Sequence, residues 1–94
     1  MAFSISETAI SFIKKRGVNE VTINVIDAKA GCVGSFKEIG VKLGKPRNLE
    51  KFDMEVVGEI TIYYPKSNFM KEGKFILTLE GVLFLKQLVL KRKD

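Results

Sequence analysis

Histidine is missing from this chain, and cysteine occurs once, as Cys32. A Cys–His nucleophile pair is therefore excluded, and so is metal ligation through imidazole. A closed zinc site takes about four ligands, usually Cys or His, and one copy offers a single thiol. One cysteine cannot form a disulfide within a monomer. That rules out a disulfide-stapled secreted scaffold and leads us to expect a reducing, cytoplasmic setting. The carboxylates Glu20, Asp27, Glu38, Glu50, Asp53, Glu55 and Glu59 stand singly, without metal-loop spacing, and read as solvated strand edges.

Long apolar runs are also missing. The longest, "VLFLKQLVL" at 82–90, is interrupted by Lys86 and Gln87 and falls well short of the roughly 20 residues a membrane helix takes. The start, "MAFSISETAI", lacks the basic segment and apolar run of a signal peptide. Neither a membrane nor an export route is expected. Internal repeats and low-complexity segments are absent. No catalytic set accompanies the thiol, and the balance is against an enzyme.

What is present suits one small globular domain over residues 1–94, with 46% hydrophobic and 29% charged residues. A chain of this size buries about 60–65% of its unfolded surface, so stability is modest unless it oligomerises. The net charge of +5 is dispersed over Lys14-Lys15-Arg16, then Lys42, Lys45 and Arg47, then Lys91-Arg92-Lys93. Each cluster sits at the end of an expected element, and no nucleic-acid motif accompanies it. We read the charge as a solubilising surface and do not expect a nucleic-acid partner.

The segment "SISETAISFIKKRGV" carries the signals of a helix over 7–16. Ser6 is a good N-cap, Glu7 puts a negative charge in the first turn, and Lys14, Lys15 and Arg16 end it positively. Ile5 and Ile10 can form a hydrophobic staple, and Gly17 suits the left-handed position after the helix. Thereafter the apolar period changes from 3.6 to 2. Val21, Ile23 and Val25 alternate in one strand, and Ile39, Val41 and Leu43 in the next. "KFDMEVVGEITIYYP" reads as a hairpin turning at Gly58-Glu59, with Ile60, Ile62 and Tyr64 inward and Tyr63 outward. Phe69 is expected at the rim. Phe75, Leu77 and Leu79 share a face before a bend at Gly81, and residues 82–92 fit either a last strand or a helix. The expectation is an α+β fold: one N-terminal helix on a mostly antiparallel sandwich or partial barrel of about six short strands.

The candidate site is the turn "GCVG". Gly31 and Gly34 bracket Cys32 and Val33 between two strands, where glycine permits positive φ. Exposed amides of such a turn stabilise a thiolate, and Lys29 and Lys37 are the nearest cations in sequence. The plainer alternative is a small buried hydrophobe, the usual fate of a lone cysteine. A phosphate-binding loop is excluded, because "GCVGSFKEIG" lacks the Lys-Ser/Thr pair and does not open a helix.

In order, the helix "SISETAISFIKKRG", a strand, the "GCVG" turn, a strand and a hairpin resemble the HesB-like fold of the A-type iron–sulfur carriers. "ITIYYPKSNFMKEGKFI" is similar to their strand, Asp-x-x-Ser and connector, with Tyr64 at the acidic position and Ser67 at the serine. The closer resemblance is to the CC/Se-motif offshoot, which carries Cys-Cys or selenocysteine-Cys at the turn. Here Cys32 fills one place of the pair and Val33 the other. The carriers' C-terminal Cys-Gly-Cys is missing, since this chain ends "LVLKRKD".

The resemblance implies a HesB-like domain whose single glycine-flanked thiol serves redox or metal chemistry. An iron–sulfur cluster or metal on Cys32 would have to be shared between subunits, because common clusters take about four thiolates. The alternative is a non-enzymatic, oligomeric binding or assembly module that has lost its ligands. A homodimer is expected, with room for another protein partner, and Phe84, Leu88 and Leu90 are the candidate interface.

Overall fold

The computed structural model describes residues 3–29, 35–66, 70, 73–82 and 85–92, with only the backbone described at 26–29, 35–38, 82 and 85. The chain begins with a short strand, β1 (Phe3–Ile5), and a helix, α1 (Glu7–Lys15). Two strands follow, β2 (Glu20–Lys29) and β3 (Ser35–Leu43). A 3-10 turn at Leu49–Lys51 leads into β4 (Phe52–Val57) and β5 (Ile60–Pro65). The last pair is β6 (Phe75–Val82) and β7 (Leu85–Arg92). One helix and two sheets make this an α+β fold.

The sheets have the orders β1-β6-β7 and β3-β2-β5-β4. Three pairings are antiparallel hairpins, while β1–β6 and β2–β5 run parallel. Both sheets are therefore mixed. Their edges approach in the same sense, β7 beside β3 and β1 beside β4. At the second edge the Phe3 N–H donates to Glu55 Oε2 at 3.1 Å. The barrel stays open, and the architecture is a small partial sandwich.

Ser6 joins sheet to helix. Its backbone N–H donates to Leu77 O at 3.0 Å, prolonging the β1–β6 ladder, while its side chain accepts from the Ala9 N–H at 3.2 Å. One residue thus ends a strand and caps a helix. At the other end the Gly17 N–H donates to Lys14 O with φ +76, the left-handed geometry expected of this glycine. Lys14 also forms an ion pair with Glu59 at 2.5 Å, tying the helix end to the β4–β5 turn. Both side chains are solvated, so the pair contributes little to stability.

Between the sheets lie Ile13 of α1, Val21 and Ile23 of β2, Ile60 and Ile62 of β5, and Phe75 and Leu77 of β6. Phe3 stacks on Phe75 and tilts against Tyr64, with ring centroids 5.6 and 5.0 Å apart. Tyr64 therefore belongs to the core side, as alternation along β5 requires.

Four sequence expectations change here. A seventh strand, β1, was hidden in the run-up to the helix, being too short for a period to register. The open choice at 82–92 resolves as strand over 85–92, because β7 pairs with β6 from Phe75↔Arg92 to Val82↔Leu85. Cross-strand pairing outweighs the helix propensity of its Leu, Lys and Gln. Tyr63, expected outside, is only 8% exposed, and its hydroxyl donates to Glu20 Oε2 at 2.9 Å. Glu20 and Glu55 are thus not solvated edge carboxylates but acceptors for Tyr63 and Phe3. Phe69 and Ser67 lie outside the described residues.

Truncating Leu77 to Ala should cost about 2–5 kcal/mol, and Ser6→Ala about 1 kcal/mol. Met54→Ala, at a site 59% exposed, should stay within about 0.5 kcal/mol. Denaturant unfolding of the three variants checks this ranking.

Candidate functional site

Alternation makes β2 and β3 a hairpin and sets its register. The ladder runs from Val21↔Leu43 to Lys29↔Ser35 without a break. Val21 and Ile23 are fully buried, and Val25, Ile39, Val41 and Leu43 pack against the core from partly buried positions. These residues anchor the hairpin's base.

Support from the rest of the sheet ends early. The parallel ladder with β5 covers only Glu20↔Thr61, Val21↔Ile62 and Thr22↔Tyr63. From Ile23 to Lys29, β2 has ladder partners only in β3 among the described residues. At about 3.4 Å per residue that is a ribbon of roughly 20 Å. The pairing also places Asp27 opposite Lys37. The sequence parity that carries Val21, Ile23 and Val25 therefore turns charged toward the far end. An apolar base and a charged far end are what a hairpin leaving a core requires.

The candidate thiol belongs to the segment joining these two arms. Gly31, Cys32 and Gly34 lie outside the described residues. Lys29 is the last paired residue of β2, and Lys37 stands two positions into β3. Among the described residues, no group of three His, Cys, Asp or Glu could hold a metal ion. No helix among them is long and apolar enough to cross a membrane.

The expected interface residues are placed differently. Leu90 is 5% exposed and belongs to the core, and Leu88 packs against it. The reason is register: Leu77↔Leu90 and Leu79↔Leu88 put both on the same face as β6's buried residues. Their side chains contribute to this chain's own core. Phe84 lies outside the described residues. Among the described residues, the large apolar side chains that remain exposed are Leu49, Met54 and Val56.

The sequence reading missed a second feature. Lys42, Lys45 and Arg47, assigned to a dispersed surface charge, line one cleft with Thr22, Asn24 and Phe52. The signal was the spacing of those cations around Gly44 and Pro46, which bend the chain back over β2. Gly44 adopts φ +96. Its N–H donates to Glu20 O at 2.8 Å, and its carbonyl accepts from Thr22 Oγ1 at 2.7 Å. Beside the cleft, Glu20 Oε2 accepts from the Tyr63 hydroxyl and lies 3.8 Å from Lys45 Nζ.

The hydrogen bond to Glu20 raises the Tyr63 pKa above the ordinary phenol value, and burial adds to it. The unfolded chain loses this proton near pH 10 while the folded chain keeps it. The associated stability is present below pH 10 and is lost as pH rises through the folded-state value. Burial raises the Tyr64 pKa as well, so absorbance titration at alkaline pH should show both tyrosinates forming late, and Glu20→Gln should move one of the two midpoints downward.

No curated protein and no solved structure is found to match this chain. The match that does exist spans residues 1–93, where the sequence fits the model of the CC/Se motif containing family. That match covers the helix, both sheets and the Cys32 segment, and the chain belongs to the CC/Se motif containing family.

Proposed function

We propose that the chain is a HesB-like, dimeric thiol protein of the cytoplasm whose activity resides in the single sulfur of Cys32. The observation that carries this reading is the unbroken hairpin register out to Lys29↔Ser35. It brings both arms to the only segment that holds a thiol, in a family named for that motif. Lys29 and Lys37, near the segment in sequence and register, favour the thiolate.

The residues present do not fit an iron–sulfur cluster held by one copy. Common clusters take about four thiolates, and this chain has one Cys and no His. Thiol–disulfide exchange needs one thiolate only. Cys32 Sγ bonds to one sulfur of a partner's disulfide, and the other sulfur leaves as a thiolate. Because Val33 occupies the neighbouring place, the mixed disulfide is resolved by a thiol from another molecule, which regenerates the Cys32 thiolate. The chain then acts as one half of a relay with a protein partner.

Alkylation rate against pH tests the reading. A midpoint below the free-cysteine value of about 8.5 is expected, and one at or above it defeats the proposal. Anaerobic reconstitution with iron and sulfide should give equal visible spectra for the wild type and Cys32→Ser. A band found only in the wild type would replace exchange with a cluster shared between copies.

A second reading, a non-enzymatic assembly module, is favoured by one observation. Met54 and Val56, 59% and 52% exposed, alternate along edge strand β4. Such a face resembles a subunit contact. Sedimentation at micromolar concentration should then give a dimer that Met54→Lys dissociates, and a wild-type mass equal to one chain rejects the contact.

A further inference from the structure

On the outer face of the four-stranded sheet, the connection from β3 to the 3-10 turn folds back over β2 and encloses a cleft of about 290 Å³. Thr22 and Asn24 form its floor on β2, and Lys42 enters from β3. Lys45, Pro46, Arg47 and Asn48 make the wall, and Phe52 of β4 completes it. The wall is held in place before any ligand arrives. Gly44 is hydrogen-bonded through both its N–H and its carbonyl to β2, and Pro46 restricts the backbone beyond it.

The lining contains three cations and no carboxylate. Lys42 and Arg47 have no ion-pair partner among the described residues. Glu20 only approaches Lys45, at 3.8 Å, and its oxygen also accepts from Tyr63. Three concentrated cations exceed what one carboxylate balances. They suit a phosphate monoester, which carries about −1.5 to −2 charges near neutral pH. Arginine adds a planar fork that binds phosphate oxygens in pairs.

The remaining groups describe the rest of the ligand. The side-chain amides of Asn24 and Asn48 have no hydrogen-bond partner among the described residues, and each offers both donors and an acceptor. Phe52 supplies an apolar ring beside them, a surface on which a flat heterocycle stacks. The volume lies at the small end of ligand clefts, which run from about 300 to 1,000 Å³. Beyond the cleft the same sheet face turns apolar at Met54 and Val56. It therefore lacks the line of cations that tracks a polynucleotide backbone.

We propose that this cleft binds a small phosphate ester of the nucleoside monophosphate class, with the phosphate on Lys42 and Arg47 and the ring against Phe52.

The test is titration of the intact chain with adenosine monophosphate, inorganic phosphate and adenosine, at constant ionic strength, read by amide chemical shifts. Adenosine monophosphate should bind more tightly than either fragment and move residues 22–24, 42–48 and 52. Arg47→Gln should weaken it about tenfold. Lys14→Gln, the same charge change at the far end of α1, should leave it unaltered. Arg47 and Lys14 are both exposed, so neither variant threatens folding. The proposal is overturned by no binding at millimolar ligand, by shifts elsewhere, or by equal weakening in both variants. Binding of single-stranded oligonucleotide without the monophosphate overturns it as well.

Discussion

Strand β2 is the constraint on which the rest depends. It is a central strand of the four-stranded sheet, parallel to β5 and antiparallel to β3. Its alternation serves both sides at once. Val21 and Ile23 go to the core with no exposed surface, and Thr22 and Asn24 between them floor the cleft. A slip of one residue would exchange those faces, placing a hydroxyl and an amide in the core. The same register fixes where the β2–β3 hairpin starts to leave the sheet, and so where the Cys32 segment begins.

The second sheet is held against the first from the N-terminus. β1 joins β6 in parallel, its Phe3 ring fills the space between Phe75 and Tyr64, and Glu55 accepts the Phe3 N–H across the open edge. Ser6 then converts the ladder into α1, its N–H bonded to β6 and its side chain accepting from the first helical turn. Three residues of strand carry structural weight here because a helix, a sheet edge and an aromatic cluster meet at them.

The chain fits the family model over residues 1–93 while holding one cysteine, in a family named for a CC/Se motif. That difference separates architecture from chemistry. The hairpin that leads to the motif depends on core packing and ladder bonds, which do not involve the second thiol. An intramolecular dithiol, by contrast, needs both sulfurs on one chain. The proposed redox cycle on Cys32 would take its second thiol from another molecule. The cationic cleft is lined by residues on the face of β2 opposite Val21 and Ile23.

By itself the sequence determined what local physics governs. The helix, its Ser6 and Gly17 boundaries, the turn at Gly58 and the core parity of β2, β3 and β5 follow from caps, glycine conformations and a period of two. The α+β class and the chemistries excluded by one Cys and no His were legible for the same reason. Only the tertiary structure decided the non-local pairings. It made β1 a strand, β7 a strand instead of a helix, and Leu88 and Leu90 part of the core. It also gathered Lys42, Lys45 and Arg47 with Thr22 and Asn24. Each outcome rests on partners far apart along the chain, brought together by ladder hydrogen bonds and shared burial, and no local pattern encodes such a contact.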